Sequence, residues 1–199
     1  MPNFGVGMAI FANGKILLTQ REDFEVWCLS GGGVEADESL VQTAMREVKE
    51  ETGLEVRIER LVGIYSMPKS DGGGSHAIIF AGIPVGGTLR ADSQEVISLG
   101  WFEMNNLPQP MLPWAVRRIK DAFSETGGSA VWRQEYIWPF PPEMKREDLY
   151  RLRDESGLSR QDFFLRHFSS EPFLELSEIT PPLDSLTGQI LNKQSKIKP

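Results

Sequence analysis

The chain has 199 residues, of which 40% are hydrophobic, 25% charged and 10% aromatic. This ordinary globular composition excludes a collagen-like, coiled-coil or wholly disordered chain. A formal net charge of −7 argues against general binding to nucleic acid or to an anionic membrane surface, and no apolar run reaches the length of about 18 residues that a membrane span needs. The single cysteine, Cys28, cannot form an intrachain disulfide, which favours a reducing, cytoplasmic compartment.

The N-terminal region predicts a hairpin followed by a short strand. Apolar runs within Gly5–Thr19 flank Asn13-Gly14, a dipeptide that is typical of tight two-residue turns. Val26–Leu29 is a further strand candidate. We expect it to end abruptly at Ser30-Gly31-Gly32-Gly33, which we interpret as a glycine-rich loop.

A helix follows this glycine run. Ser39 and Gln42 form a capping box at its start, and Gly53 supplies its C-terminal stop. The later predicted elements are strands over Val56–Tyr65, His76–Ile83 and Glu95–Phe102, a helix over Trp114–Phe123 and a strand over Val131–Trp138. Because strands and helices do not alternate regularly, we predict a mixed α/β fold built on a largely antiparallel sheet.

Three prolines, Pro139, Pro141 and Pro142, predict a boundary between residues 1–140 and a C-terminal helical extension and tail over 141–199. Two short helices are predicted in the extension, over Glu143–Asp154 and Ser159–Phe168. Their leucine and phenylalanine side chains are too apolar to face water, so we expect them to pack on the main domain or on a second subunit of a homodimer. The last 29 residues or so are expected to be disordered or draped on a partner.

The helix after Ser39 carries two stripes on a helical wheel, about 120° apart. The apolar stripe, which predicts packing on the sheet, consists of Val41, Ala44, Met45, Val48 and Thr52. The acidic stripe consists of Glu47, Glu50 and Glu51. Like charges three and four residues apart repel each other. The acidic stripe is therefore either a solvated face or a set of oxygen ligands for a hard cation such as Mg²⁺ or Mn²⁺.

The residues around this helix favour the cation site. A glycine run precedes it, Glu38 adds a fourth carboxylate at its entrance, and Arg46 can hold Glu47 in position. Together these residues form a 23-residue pattern, Gly32–Leu54, with nine specified positions. At every one of those positions the segment resembles the Nudix box, the signature of the Nudix hydrolase superfamily.

The resemblance runs from about Gly5 to about Phe123 and implies an α/β/α sandwich around a mixed sheet. It also implies roles for individual residues. Divalent-metal ligands are implied at the side chains of Glu47, Glu50 and Glu51 and at the carbonyl of Gly32. Arg46 is expected to orient Glu47, and Glu38 to act at the edge of the site through water.

Glu95 is the candidate for a fifth carboxylate. It lies six residues before Trp101, which is comparable with the place of an acidic residue in many family members. The alternative is an ordinary charge at the start of a strand. The implied reaction is hydrolysis of the pyrophosphate of a nucleoside diphosphate linked to another moiety, with either Glu47 or Glu95 taking the proton from the attacking water.

Two residues outside the pattern bear on the substrate. Pro68 stands 15 residues after Gly53, a feature that resembles Nudix enzymes acting on ADP-ribose, and Tyr65 is an aromatic side chain that could stack on a base. Each has a purely structural alternative, a loop proline and a core ring. We therefore expect an ADP-ribose-like or nucleotide-sugar substrate ahead of a noncanonical nucleoside triphosphate. The alternative function is a catalytically idle nucleotide sensor that regulates a partner through its C-terminal helices.

Overall fold

One mixed sheet of nine strands organises the part of the chain that the computed structural model describes, which is residues 3–68, 74–91, 93–124, 130–136, 138–141, 143–168 and 173–178. The strands are β1 (Asn3–Ala12), β2 (Lys15–Arg21), β3 (Trp27–Cys28), β4 (Ser30–Gly33), β5 (Leu54–Met67), β6 (Ser75–Gly87), β7 (Val96–Phe102), β8 (Ala130–Tyr136) and β9 (Phe173–Ser177). The helices are α1 (Leu40–Thr52), α2 (Pro113–Phe123), α3 (Arg146–Glu155) and α4 (Arg160–Phe168). No helix in these ranges is both long enough and apolar enough to cross a membrane.

The strand order is β3-β2-β1-β6-β5-β8-β9, with β4 beside β1 and β7 beside β2. The pairs β1–β6 and β5–β8 are parallel, and the others are antiparallel. The predicted hairpin is confirmed, since Ile10 pairs with Leu17 across a turn in which Asn13 and Gly14 have φ values of 52° and 73°. Two left-handed residues in a two-residue loop match the right-handed twist of the flanking strands.

Side chains alternate between the two faces of the sheet and so place a helix on each face. Met8 of β1 points to the cluster that contains Val48 of α1, whereas its neighbour Ala9 points to the cluster that contains Ile119 of α2. The predicted mixed α/β fold with helices on both faces is therefore confirmed. The helix with a capping box is also confirmed: Ser39 caps α1, and Gly53 ends it at φ 72°.

The glycine run was predicted as a loop, and this prediction is wrong. Ser30–Gly33 forms strand β4, which pairs antiparallel with β1 from Gly5 to Met8. The backbones approach so closely that a Cβ on Gly31 would stand 2.1 Å from the carbonyl oxygen of Val6. Glycine is required here for close strand approach, a use that a sequence pattern does not distinguish from a flexible loop.

The face of α1 that meets the sheet differs from the predicted stripe. Val41 and Met45 are 44% and 47% exposed. The buried residues of the helix are Thr43, Ala44, Val48, Glu51 and Thr52. The helix is rotated so that small side chains and one carboxylate, rather than the largest apolar side chains, lie toward the sheet. Glu51 consequently belongs to the buried face.

The C-terminal helices pack on the main domain within this one chain. Phe163, Phe164 and Leu149 join Phe24 and Val26 in a single apolar cluster. A further strand, β9, pairs antiparallel with β8, although no element was predicted after residue 168. The division into 1–140 and 141–199 remains a proposal, and residues 179–199 of the expected tail lie outside the described ranges.

Candidate active site

Arg46 connects most of the carboxylates at the exposed edge of α1. Its Nε and Nη2 donate to the two oxygens of Glu38 at 2.7 and 3.0 Å, and its Nη1 donates to Glu47 at 2.8 Å and to Glu50 at 3.1 Å. Nη2 also reaches the carbonyl of Gly33 at 3.2 Å. The hydrogen bonds from Arg46 lower the pKa of Glu38 to about 2. One guanidinium thus fixes three carboxylates relative to the glycine strand β4.

Glu51 is the buried carboxylate of the group. It is 8% exposed and accepts a hydrogen bond of 3.1 Å from the backbone N–H of Gly31. Burial, together with the charge of Glu47, raises the pKa of Glu51 to about 7, although the hydrogen bond from Gly31 and the charge of Arg21 act in the opposite direction. A carboxylate that is held this deep against neighbouring negative charge is costly in the absence of a cation.

Glu47 lies against the backbone of β4. A Cβ added to Gly32 would stand 2.4 Å from Glu47 Oε1, so only glycine leaves room for this carboxylate. Burial raises the pKa of Glu47, and the charges of Glu50 and Glu95 contribute to the rise. Glu95 is exposed in the turn before β7, and its carbonyl accepts a hydrogen bond of 2.8 Å from the N–H of Glu22. The charge of Glu95 therefore acts on Glu47, although Glu95 does not line the cavity at Gly31 and Gly32.

The donor set fits a hard divalent cation in its chemistry. Glu47, Glu51 and the carbonyl of Gly32 offer only oxygen donors, which Mg²⁺ and Mn²⁺ prefer. The space at Gly32 is filled by a carboxylate rather than by a side chain of its own. Within the described ranges, no three His, Cys, Asp or Glu side chains converge into a preformed cage, because Arg46 draws Glu47 and Glu50 toward itself.

A cavity of about 220 Å³, here called the glycine cavity, opens beside Gly31 and Gly32. It runs between β1, β4 and the start of α2, where Trp114 and Arg118 line it. Burial lowers the pKa of Arg118 to about 10, and its Nε has no acceptor among the described residues. Neither residue could be predicted from the sequence, since both belong to an ordinary amphipathic helix and no motif marks them.

Two predicted substrate residues lie away from this cavity. Tyr65 is fully buried in the core under α2, and its hydroxyl donates to Asp121 at 2.9 Å. A ring without an exposed face cannot stack on a base, so we correct this expectation and leave Tyr65 out of the site. Pro68 is exposed directly after β5 and is not among the residues that line the glycine cavity.

A family model, the NUDIX domain, matches residues 1–123 of the chain. The chain belongs to the Nudix family. The Nudix box predicted over Gly32–Leu54 lies inside this match, and the expected family membership is confirmed. The chain is accordingly a Nudix hydrolase, and Nudix hydrolases generally require divalent metal ions.

Individual relatives of this Nudix chain carry different activities in their names. An ADP-ribose pyrophosphatase from Methanocaldococcus jannaschii is 37% identical over 114 residues, which cover 54% of this chain and 66% of that protein. The 8-oxo-dGDP phosphatase from Homo sapiens is 31% identical over 142 residues, or 67% of this chain and 41% of that protein. The crystal structure of a MutT protein from Bacillus halodurans superposes with a TM-score of 0.61 at 26% identity and covers 70% of this chain and 93% of that one.

Proposed function

We propose that this Nudix hydrolase uses Mg²⁺ or Mn²⁺ to cleave the pyrophosphate of a nucleoside diphosphate linked to another moiety, with ADP-ribose-like compounds and nucleotide sugars ahead of noncanonical nucleoside triphosphates. The observation that carries the proposal is the position of Glu47 and Glu51 against Gly31–Gly32, directly beside the glycine cavity. Relatives that are named as ADP-ribose pyrophosphatases support the preferred substrate class. In the sequence, the position of Pro68, 15 residues after Gly53, favours the same class.

The metal ligands in this proposal are Glu47, Glu50, Glu51 and the carbonyl of Gly32, while Glu38 acts at the edge of the site through water. When bound, the cation neutralises pyrophosphate charge and lowers the pKa of a water molecule. Arg46 contributes by holding Glu47 with a hydrogen bond of 2.8 Å, which prevents the carboxylate from rotating away from β4.

A carboxylate of this chain takes the proton of the attacking water. As the water oxygen forms a bond to phosphorus, the bond from phosphorus to the bridging oxygen breaks, and that oxygen leaves with the second phosphate. Glu47 and Glu95 are the two candidates for the base. Burial keeps the pKa of Glu47 above its usual range, and the charge of Glu95 contributes to that rise.

The test is hydrolysis of ADP-ribose, a nucleotide sugar and a noncanonical triphosphate, with nucleoside monophosphate release as readout. We expect turnover with millimolar Mg²⁺ or Mn²⁺, none in excess chelator and no requirement for zinc. Glu50→Gln should lower kcat by at least ~100-fold, whereas Glu55→Gln, a matched change at an exposed glutamate that pairs with Lys49, should not. Full activity in excess chelator would contradict the proposal, and tight nucleotide binding without turnover would favour the idle sensor.

The remaining proposals concern the binding partner, the cellular location and the oligomeric state of the enzyme. We propose a small-molecule nucleotide derivative as partner rather than nucleic acid or membrane, supported by the net charge of −7. A cytoplasmic location agrees with the unpaired, buried Cys28. Homodimerisation is supported by Leu174 and Leu176 of β9, which are 60% and 58% exposed at the end of the strand order. Light scattering of the purified chain tests homodimerisation, because it measures whether the mass in solution is that of one chain or of two.

A further inference from the structure

A second cavity of about 350 Å³ lies where the C-terminal helices meet the main domain, and we call it the aromatic pocket. Its side-chain walls include Trp114, Trp138, Tyr150, Phe164 and Phe168. Most of these rings come from the segment after residue 137. A pocket of this size and composition is typical of a small-molecule site, in which apolar and aromatic walls surround a few polar groups.

The aromatic pocket adjoins the glycine cavity of the candidate active site. Arg21, Leu112 and Trp114 line both the aromatic pocket and the glycine cavity, so the two cavities share a wall. A third cavity of about 300 Å³ is lined by Arg21 and Tyr150 together with Glu95, the candidate base. A ligand whose pyrophosphate lies at Gly31–Gly32 is therefore next to the aromatic pocket, with Arg21 at the boundary between the cavities.

The extension is held against this region by side chains that bind backbone. Arg153 Nη1 of α3 donates to the carbonyl of Asp23 at 2.6 Å, and Arg160 Nη1 of α4 donates to the carbonyl of Glu22 at 2.8 Å. Tyr150 donates its hydroxyl proton to Asp23 Oδ2 at 3.1 Å. These bonds fix α3 and α4 on the connection between β2 and β3, so the pocket is formed before any ligand arrives.

The chemistry of the walls distinguishes between classes of ligand. A sugar carries a hydroxyl on most of its carbons, and each buried hydroxyl needs a hydrogen-bond partner. Phe164, Phe168 and Leu149 offer none. The two cations at the pocket are already engaged, because Arg21 binds Asp23 through its Nε at 2.9 Å and Arg146 donates to the hydroxyl of Tyr150 at 2.6 Å. A flat, uncharged heterocycle suits such walls, since it can stack on the half-buried rings of Trp138 and Tyr150. Its ring nitrogens can also accept from Trp138 Nε1, a buried donor with no acceptor among the described residues.

We propose that the aromatic pocket binds the base of a second nucleoside, so that the substrate is a dinucleoside diphosphate with a ring at each end. This inference rests on the proposed function, which places the pyrophosphate at Glu47 and Glu51, and it assigns to the C-terminal extension the role of completing the substrate site. It orders the substrates within the proposed class, with a dinucleoside diphosphate ahead of a compound that ends in a bare sugar.

Diadenosine diphosphate and ADP-ribose form a matched pair of probes, because they share the adenosine diphosphate core and differ by the second adenine. We expect KM for diadenosine diphosphate to be about tenfold lower than KM for ADP-ribose, the scale of one base stacked on an aromatic side chain. Tyr150→Leu removes one ring and should abolish most of this difference, whereas Tyr150→Phe should keep it. Leu152→Ala, on the exposed side of the same helix, is the control and should behave as the unmodified chain.

A binding measurement separates the pocket from the chemistry. In chelator, where no turnover is expected, diadenosine diphosphate should quench tryptophan fluorescence more strongly than ADP-ribose, because Trp114 and Trp138 line the pocket. The proposal that the aromatic pocket binds a base would be overturned if the two probes gave equal KM values and equal quenching, unchanged by Tyr150→Leu. The proposed function would remain intact. Absence of turnover for both probes with stronger quenching by diadenosine diphosphate would overturn the proposed substrate class while still supporting the pocket.

Discussion

The carboxylate of Glu47 occupies the space that a side chain on Gly32 would need, with Glu47 Oε1 only 2.4 Å from the position of that missing Cβ. This contact joins helix α1 to strand β4 at the point where the glycine cavity opens. Glycine at position 32 therefore leaves the carboxylate in contact with backbone rather than with a methyl group, whereas the close approach of β4 to β1 depends on Gly31.

Gly32→Ala should remove activity without unfolding the protein. The new methyl group meets the end of a flexible side chain, so Glu47 swings away and the fold tolerates the change. We expect kcat to fall by at least ~100-fold with little change in melting temperature. Gly33→Ala is the matched control, because a Cβ there has no atom within 4 Å. Equal activity of the two variants would show that the contact has no role in the reaction.

Arg46→Lys tests whether the site needs only the positive charge of Arg46 or also the hydrogen-bond geometry of its guanidinium. The guanidinium donates to Glu38, Glu47 and Glu50 at once, whereas an ammonium group cannot match this fork. We expect kcat to fall by about tenfold or more. Arg57→Lys, at an exposed pair with Glu59, should leave kcat unchanged. If Arg46→Lys turned over substrate at the original rate, positive charge alone would suffice at this position.

Glu51→Gln should stabilise the metal-free protein at neutral pH. Burial raises the pKa of Glu51 to about 7 from an ordinary 4.5, so the folded chain binds more protons than the unfolded chain between these values. The stability that Glu51 contributes is therefore present below about pH 4.5 and is lost as the pH rises through about 7. The loss is about 3 kcal/mol of unfolding free energy.

Thermal melts in chelator test whether the charge of Glu51 lowers the stability of the metal-free protein at neutral pH. Glu51→Gln should melt higher than the unmodified chain at pH 7.5 and close to it at pH 5, provided both remain folded there. Added Mg²⁺ or Mn²⁺ should stabilise the unmodified chain and have less effect on the variant, because the variant lacks the anionic ligand. A variant that melts lower than the unmodified chain at pH 7.5 in chelator would contradict the predicted cost of the buried charge.

Phe163→Ala tests the attachment of the C-terminal helices. Phe163 is 1% exposed and its ring lies 6.2 Å from that of Phe24, so we expect a loss of about 3–5 kcal/mol of unfolding free energy. Leu165→Ala on the same helix, where the side chain is 42% exposed, should cost far less. Truncation after Pro139 should lower the melting temperature or change the mass in light scattering, because it uncovers Phe24 and Val26. Unchanged melting and mass after truncation would mean that the helices do not stabilise the main domain.

The features that could be predicted from the sequence depend on residues close together along the chain. The hairpin turn at Asn13-Gly14 and the cap at Ser39 are each decided within a few residues by backbone conformation and hydrogen bonding. The spacing of Glu47, Glu50 and Glu51 on one helix puts their carboxylates on neighbouring turns, whatever the helix packs against. The candidate metal ligands on this helix could therefore be predicted from the Nudix box alone.

Tertiary packing decided the features that depend on distant residues. The burial of Glu51 and the exposure of Val41 follow from how α1 is rotated on the sheet, which a helical wheel does not specify. The glycine run became a strand because β1 lies beside it and pairs with it in an antiparallel ladder. The aromatic pocket depends on Arg153 reaching Asp23, 130 residues away along the chain. Such contacts form only when the whole sheet is assembled, because their energy comes from packing that no local pattern encodes.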